Sequence, residues 1–76
     1  MSIQLIINGQ NREFESLSGQ VTLDQLLAEM QLKSDRVAVE LNGNIASRTG
    51  WSETAVNSGD RLEIVHFVGG GRADSF

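Results

Sequence analysis

Apolar and polar residues alternate over Met1–Asn8. Ile3, Leu5 and Ile7 fall on one face and Gln4 and Asn8 on the other, which is the period of a half-buried strand. Asn8-Gly9 then signals a tight turn, because both residues tolerate positive φ. A second strand is predicted over Arg12–Leu17, with Phe14 pointing inward, until Ser18-Gly19-Gln20 breaks it. At Thr22 the period changes. Leu23, Leu26, Leu27 and Met30 recur at i, i+3, i+4 and i+7, one apolar stripe on a helix of about Thr22–Gln31. Thr22 stands three residues before Gln25, the spacing of a capping box.

Val37, Val39 and Leu41 alternate again, predicting a third strand over Val37–Leu41. Asn42-Gly43 is a second turn signal and leads to a short strand at Ile45–Ala46. Residues 47–58 have no clean period; Thr49 or Ser52 is a candidate cap for one helical turn around Trp51–Ala55. Ser58-Gly59-Asp60 is another turn. Arg61–Val68 is the last strand, with Leu62 and Ile64 on one face and Val65 and Phe67 on the other.

A hairpin and one helix cannot bury themselves, so the leucine stripe must lie across a sheet. A right-handed crossover through the helix would set a later strand parallel to the first. The expected fold is therefore α+β, a β-grasp (ubiquitin-like) mixed sheet with one main helix packed on one face. Residues 1–68 are expected to form this domain, and 69–76 a flexible glycine tail with a five-residue extension. If the helix covers Leu5, Val39 and Ile64, then Ile6, Ala38, Val65 and Phe67 form an apolar patch on the uncovered side, beside the glycines. Such a patch suits docking on an enzyme. Self-association and plain strand propensity are the competing readings.

Composition narrows the function. A chain of 76 residues buries only about 60% of its unfolded surface, so there is little wall from which to build a catalytic cleft. There is no cysteine, which removes disulfides, thiolate metal sites and thiol nucleophiles and suits a reducing cytoplasm. A net charge of −4 argues against nucleic acid and anionic membranes and favours a basic protein surface as partner. The run Ile3–Ile7 is too short for a signal h-region or a membrane span. His66 is the only histidine, so a histidine-rich metal site is impossible and a catalytic triad improbable. By alternation His66 shares a face with Leu62 and Ile64 and reads as a partly buried structural residue. Gly69-Gly70-Gly71 lacks the helix that a phosphate loop needs after its glycines. Three residues without Cβ instead make a slender peptide that fits a channel too narrow for side chains.

The segments "INGQ", "VTLDQLLAEMQL", "RVAVELNGNI" followed by Arg48 and Trp51, and above all "GDRLEIVHFVGGG" carry a resemblance. In order and spacing they resemble the ThiS family of sulfur carriers in thiamin biosynthesis, over residues 3–71. The resemblance implies a carrier without a bound cofactor, not an enzyme. Its C-terminal glycine, Gly71 or, less favourably, Gly70, is adenylated by an E1-like enzyme that uses ATP. A sulfur donor system then converts it to a thiocarboxylate, and thiazole synthase receives the sulfur. Ile6, Val65, Phe67 and Gly69 are the expected partner-binding residues. Two departures stand out. Ser47 replaces the proline common before the arginine, and Arg72-Ala73-Asp74-Ser75-Phe76 follows the glycines, so Gly71 is held in a peptide bond. A carrier role then requires a protease that removes residues 72–76. A related carrier for molybdopterin or another sulfur metabolite, or a non-covalent ubiquitin-like binding module, are the alternatives.

Overall fold

The computed structural model describes residues 2–68 and 72–75. Strand β1 (Ile3–Ile7) turns through Asn8-Gly9 into β2 (Gln10–Phe14). Asn8 has φ 52° and Gly9 φ 81°, both left-handed, as a two-residue hairpin turn requires. Because Ile7 pairs directly with Gln10, the second strand starts at once and runs out with β1, where Ile3 meets Phe14. The strand expected over Arg12–Leu17 is therefore displaced towards the turn. Asn42 (φ 52°) and Gly43 (φ 87°) repeat the device between β4 (Val37–Leu41) and β5 (Asn44–Ala46).

Helix α1 spans Leu23–Glu29, shorter than the stripe implied. Its start carries the expected box between Thr22 and Gln25, with Gln25 Oε1 accepting the Thr22 backbone N–H at 3.0 Å; Asp24 Oδ1, outside the box, also accepts the Gln25 N–H at 2.9 Å. Its end is a Schellman motif. Gln31 takes a left-handed φ of 61°, its N–H reaches Ala28 O at 3.0 Å, and the Leu32 N–H reaches Leu27 O at 3.0 Å. This closure ends the helix before Met30, whose side chain still packs against the core from its margin.

Two very short strands, β3 (Val21–Thr22) and β6 (Ala55–Val56), pair antiparallel as a second small sheet, and both were invisible to periodicity. The helical turn expected around Trp51–Ala55 is a 3-10 turn over Arg48–Glu53, starting earlier, behind Ser47. Trp51 is buried there, and its indole N–H donates to Ala46 O at 2.9 Å. A further 3-10 turn occupies Ser34–Arg36.

The main sheet has the order β2-β1-β7-β4-β5, with β7 spanning Arg61–Val68. β7 is parallel to β1 and antiparallel to β4, so the helix crossover produces the parallel pair that the topology demanded. One face of this mixed sheet is covered by α1. Leu23, Leu26 and Leu27 meet Ile3, Leu5 and Ile7 of β1, Val37 and Val39 of β4, and Leu62 and Ile64 of β7 in a single core. Arg72–Ser75, assigned above to a flexible tail, is strand β8 and pairs antiparallel with β7. Among the described residues no helix is long and apolar enough to cross a membrane.

Leu26 is fully buried beneath the sheet. Leu26→Ala is expected to cost about 2–5 kcal/mol, a large part of the roughly 5–15 kcal/mol that holds a domain folded. Urea denaturation followed by circular dichroism measures it, and an unchanged midpoint would mean that the stripe is not the core. Asn8 makes a second prediction. Its amide exchanges two hydrogen bonds with the backbone of Ile64, Ile64 N–H to Oδ1 at 2.8 Å and Nδ2–H to Ile64 O at 3.1 Å. Asn8→Ala strands both groups and puts alanine at a left-handed φ, and is expected to cost about 2–3 kcal/mol. Asn8→Asp keeps the acceptor and should cost less. Equal loss in the two variants would discount the bonds to Ile64.

Candidate functional site

The candidate site is the end of β7 with the sheet face that α1 leaves uncovered. Register fixes that face residue by residue, since paired residues point the same way. Ile6 lies opposite Arg61, Glu63 opposite Glu40, Val65 opposite Ala38, and Ile45 opposite Glu40. Ile6, Ala38 and Val65 are each half-buried on this face, as alternation predicted. They do not form one continuous patch. Arg61 and Glu63 stand between Ile6 and Val65 along β7, so the apolar positions are interleaved with charge.

Two features of the face were missed. Ile45, on edge strand β5, is 83% exposed, the one large apolar side chain so exposed among the described residues. The alternation Asn44-Ile45-Ala46 held the signal, since Ala46 packs against the core and its neighbour must then point away. Glu40 and Glu63 are paired directly across β4 and β7, which sets two exposed carboxylates side by side. Like charges placed so repel each other and destabilise the pair modestly. A cationic partner group would relieve that repulsion.

The geometry of β7 is controlled by the two turn asparagines. At its start, Asn42 Oδ1 accepts the Arg61 N–H at 2.9 Å, and Asn42 Nδ2–H donates to Asp60 Oδ1 at 3.2 Å. Three residues later the Asn8 amide holds Ile64 from the other side. Sequence reasoning took both asparagines as turn formers only. Beyond Ile64 the strand carries Val65, half-buried His66 and Phe67 to Val68, where β8 lies alongside. His66 faces the helix side with Val37, the position expected of it. The Phe67 side chain and Gly69, Gly70 and Gly71, which carry the expected modification and part of the expected docking, lie outside the described residues.

Among the described residues no three His, Asp or Glu side chains gather as metal ligands. Nor does any polar or charged side chain rank among the buried ones. What the arrangement offers is a rigid sheet, an apolar face patterned with charge, and a central strand that delivers the chain to three glycines.

Comparison with known proteins places this arrangement. The chain is 46% identical over 76 residues to a thiazole synthase of Paramagnetospirillum magneticum, matching 97% of this chain and 22% of that one. The chain thus spans about a fifth of that relative's length. It is 39% identical over 67 residues to the sulfur carrier protein ThiS of Bacillus subtilis, covering 88% of this chain and 98% of that one. The crystal structure of the thiamine biosynthesis protein ThiS from Geobacter metallireducens superposes with a TM-score of 0.77 at 30% identity, covering 91% of this chain and all of that one. The profile of the ThiS family matches residues 5–71, from β1 through the third glycine, and this chain belongs to the ThiS family.

Proposed function

We propose that this chain is a sulfur carrier for the thiazole of thiamin, a protein cosubstrate and not a catalyst. The observation that carries the reading is the extent of the family match, residues 5–71, which ends on the last of three glycines behind β7. The carrier protein of Bacillus subtilis, aligned over nearly its whole length, supports it. That 22% of a protein named thiazole synthase aligns with this chain supports thiazole synthase as the enzyme that takes the sulfur.

The chemistry asks little of the carrier. A carboxylate is a poor electrophile, so the Gly71 carboxylate oxygen attacks the α-phosphorus of ATP on an adenylating enzyme and pyrophosphate leaves. Sulfur delivered at the sulfide level attacks the carbonyl carbon of the acyl adenylate, AMP leaves, the S–H proton passes to solvent, and the carboxyl carbon then carries sulfur as a thiocarboxylate. Charge develops on phosphate and carbonyl oxygens in both steps, and the enzyme supplies the pre-organised groups that stabilise it. The carrier supplies a peptide slim enough for the active site, because a Cβ at Gly69, Gly70 or Gly71 would meet the channel wall. It also supplies a docking face built around Ile6, Val65 and Phe67, to which Ile45 and the Glu40–Glu63 pair add an exposed apolar contact and a counter-charge for a basic enzyme surface.

Gly71 is bonded to Arg72, so a peptidase must first free its carboxyl. The extension is not peculiar to this chain. Only about two of the 76 positions are unmatched in the comparison with the Paramagnetospirillum protein, so that match runs past the glycines to at least Asp74.

ATP–pyrophosphate exchange with the cognate adenylating enzyme tests the reading. A chain ending at Gly71 is expected to support exchange, the chain with residues 72–76 to be inert, and Gly70→Ala in the short form to abolish exchange without lowering the melting temperature. Exchange at equal rates by both lengths would refute the need for processing, and inactivity of both would refute the carrier reading. The docking face gives a separate expectation. Val65→Asp in the short form should raise the KM for the carrier about tenfold or more, with a folded domain, since the apolar contact is lost and a charge must be desolvated where it was. An unchanged KM would move the interface off this face.

A further inference from the structure

An asparagine that precedes glycine is the one most open to attack by its own chain, because glycine has no side chain to hinder its backbone nitrogen from reaching the asparagine Cγ. Two asparagines here, Asn8 and Asn42, precede glycine, whereas Asn11, Asn44 and Asn57 precede Arg12, Ile45 and Ser58. Both Asn-Gly pairs form the same left-handed two-residue turn. The space around both glycines is open, since a Cβ on Gly9 or Gly43 would meet nothing within 4 Å. Sequence and turn geometry thus give the two pairs the same liability. What differs is the grip on each amide.

For the reaction the asparagine side chain must let go of its partners and fold back over the next peptide. The glycine nitrogen bonds to Cγ as its proton passes to a solvent base; the Cγ–Nδ2 bond breaks and ammonia leaves. Water then opens the cyclic imide at one carbonyl or the other. The product is aspartate, or isoaspartate with one more carbon in the main chain. At Asn8 both bonds to the Ile64 backbone, 2.8 and 3.1 Å, have to open first. Ile64 is fully buried, so water serves the released groups poorly, and a buried group left without a partner carries its whole desolvation penalty. At Asn42 the partners are the Arg61 N–H at 2.9 Å and Asp60 Oδ1 at 3.2 Å. Asn42 and Arg61 are exposed and Asp60 is half-buried, so water replaces these bonds at little net cost.

We infer that Asn42-Gly43 is a deamidation site of the folded protein, and that the fold shields Asn8-Gly9 from the same reaction. The product alters the place where β7 begins. Nδ2 of Asn42, the donor to Asp60, is replaced by oxygen, so a second carboxylate faces the Asp60 carboxylate and repels it. Asp60 Oδ2 also accepts the Asn57 N–H at 2.8 Å, which holds the turn leading into β7. Each converted copy thus gains one negative charge and loses the tie between the β4–β5 turn and Asp60.

Peptide mass mapping of the full chain, with fragmentation that separates aspartate from isoaspartate, follows both sites during incubation in warm, mildly alkaline buffer. In the folded chain Asn42 is expected to convert at least about tenfold faster than Asn8, whose reaction waits on the fraction of time that both bonds to Ile64 are open. In concentrated urea, where neither amide is held, the two rates should come within about twofold of each other. Equal rates in the folded chain, or faster conversion of Asn8, would overturn the inference. So would a preference for Asn42 that persists undiminished in urea, since it would then belong to the local sequence and not to the fold. Substitution tests the product. Asn42→Asp is expected to lower the urea midpoint, and Asn42→Asp combined with Asp60→Asn to recover most of the loss, because the exchange sets a donor opposite an acceptor again. A combined variant no more stable than Asn42→Asp would refute the clash with Asp60.

Discussion

β7 is eight residues long, and β1, its parallel neighbour, pairs with only the first two of them. That mismatch is the constraint from which most of the molecule follows. Leu62 and Ile64 are fully buried under α1, so β7 cannot leave the sheet. A strand in the middle of a sheet must satisfy backbone groups on both sides, and an unpaired buried one costs about 1–3 kcal/mol. Three devices share the task on the β1 side: a true ladder, a turn asparagine whose amide imitates a peptide, and a strand supplied by the extension. β4 alone handles the opposite side. The outcome is a central strand tied by side-chain amides at its start and paired with β8 near its end.

The sequence was read correctly where a residue type admits one geometry. Both Asn-Gly pairs form two-residue turns because both positions need φ above zero, and the period shift at Thr22 marks the helix because three leucines must share one buried face. The limits of β4 and β7 agree with their alternation residue by residue. Boundaries slipped where tertiary partners decide them. β2 begins at Gln10 because the hairpin forces pairing at once, although Gln10 and Asn11 look unlike a strand. β3 and β6, two residues each, exist only because the crossover brings them side by side.

The candidate site was half legible. Ile6 and Val65 were placed on the uncovered face by alternation alone, and the structure keeps them there. A list of apolar positions could not reveal the charges set between them, because Glu40 meets Glu63 only through the β4–β7 register. The double service of Asn8 and Asn42 was equally hidden, since turn propensity explains both residues before any long-range bond is considered. The extension was the largest surprise. Its composition suggests a tail, whereas Arg72–Ser75 pair antiparallel with β7, a contact no local pattern announces.

The pieces converge on a carrier whose working end is released and not built. A small, well-packed domain presents a face, a central strand leads to the three glycines, and the proposed carrier reaction needs the chain cut after Gly71. Intact-mass measurement of the protein isolated from its native cell during thiamin synthesis bears on this most directly. The account predicts a population ending at Gly71, part of it with one carboxyl oxygen replaced by sulfur. A protein found only with Arg72–Phe76 attached, and without added sulfur, would contradict it.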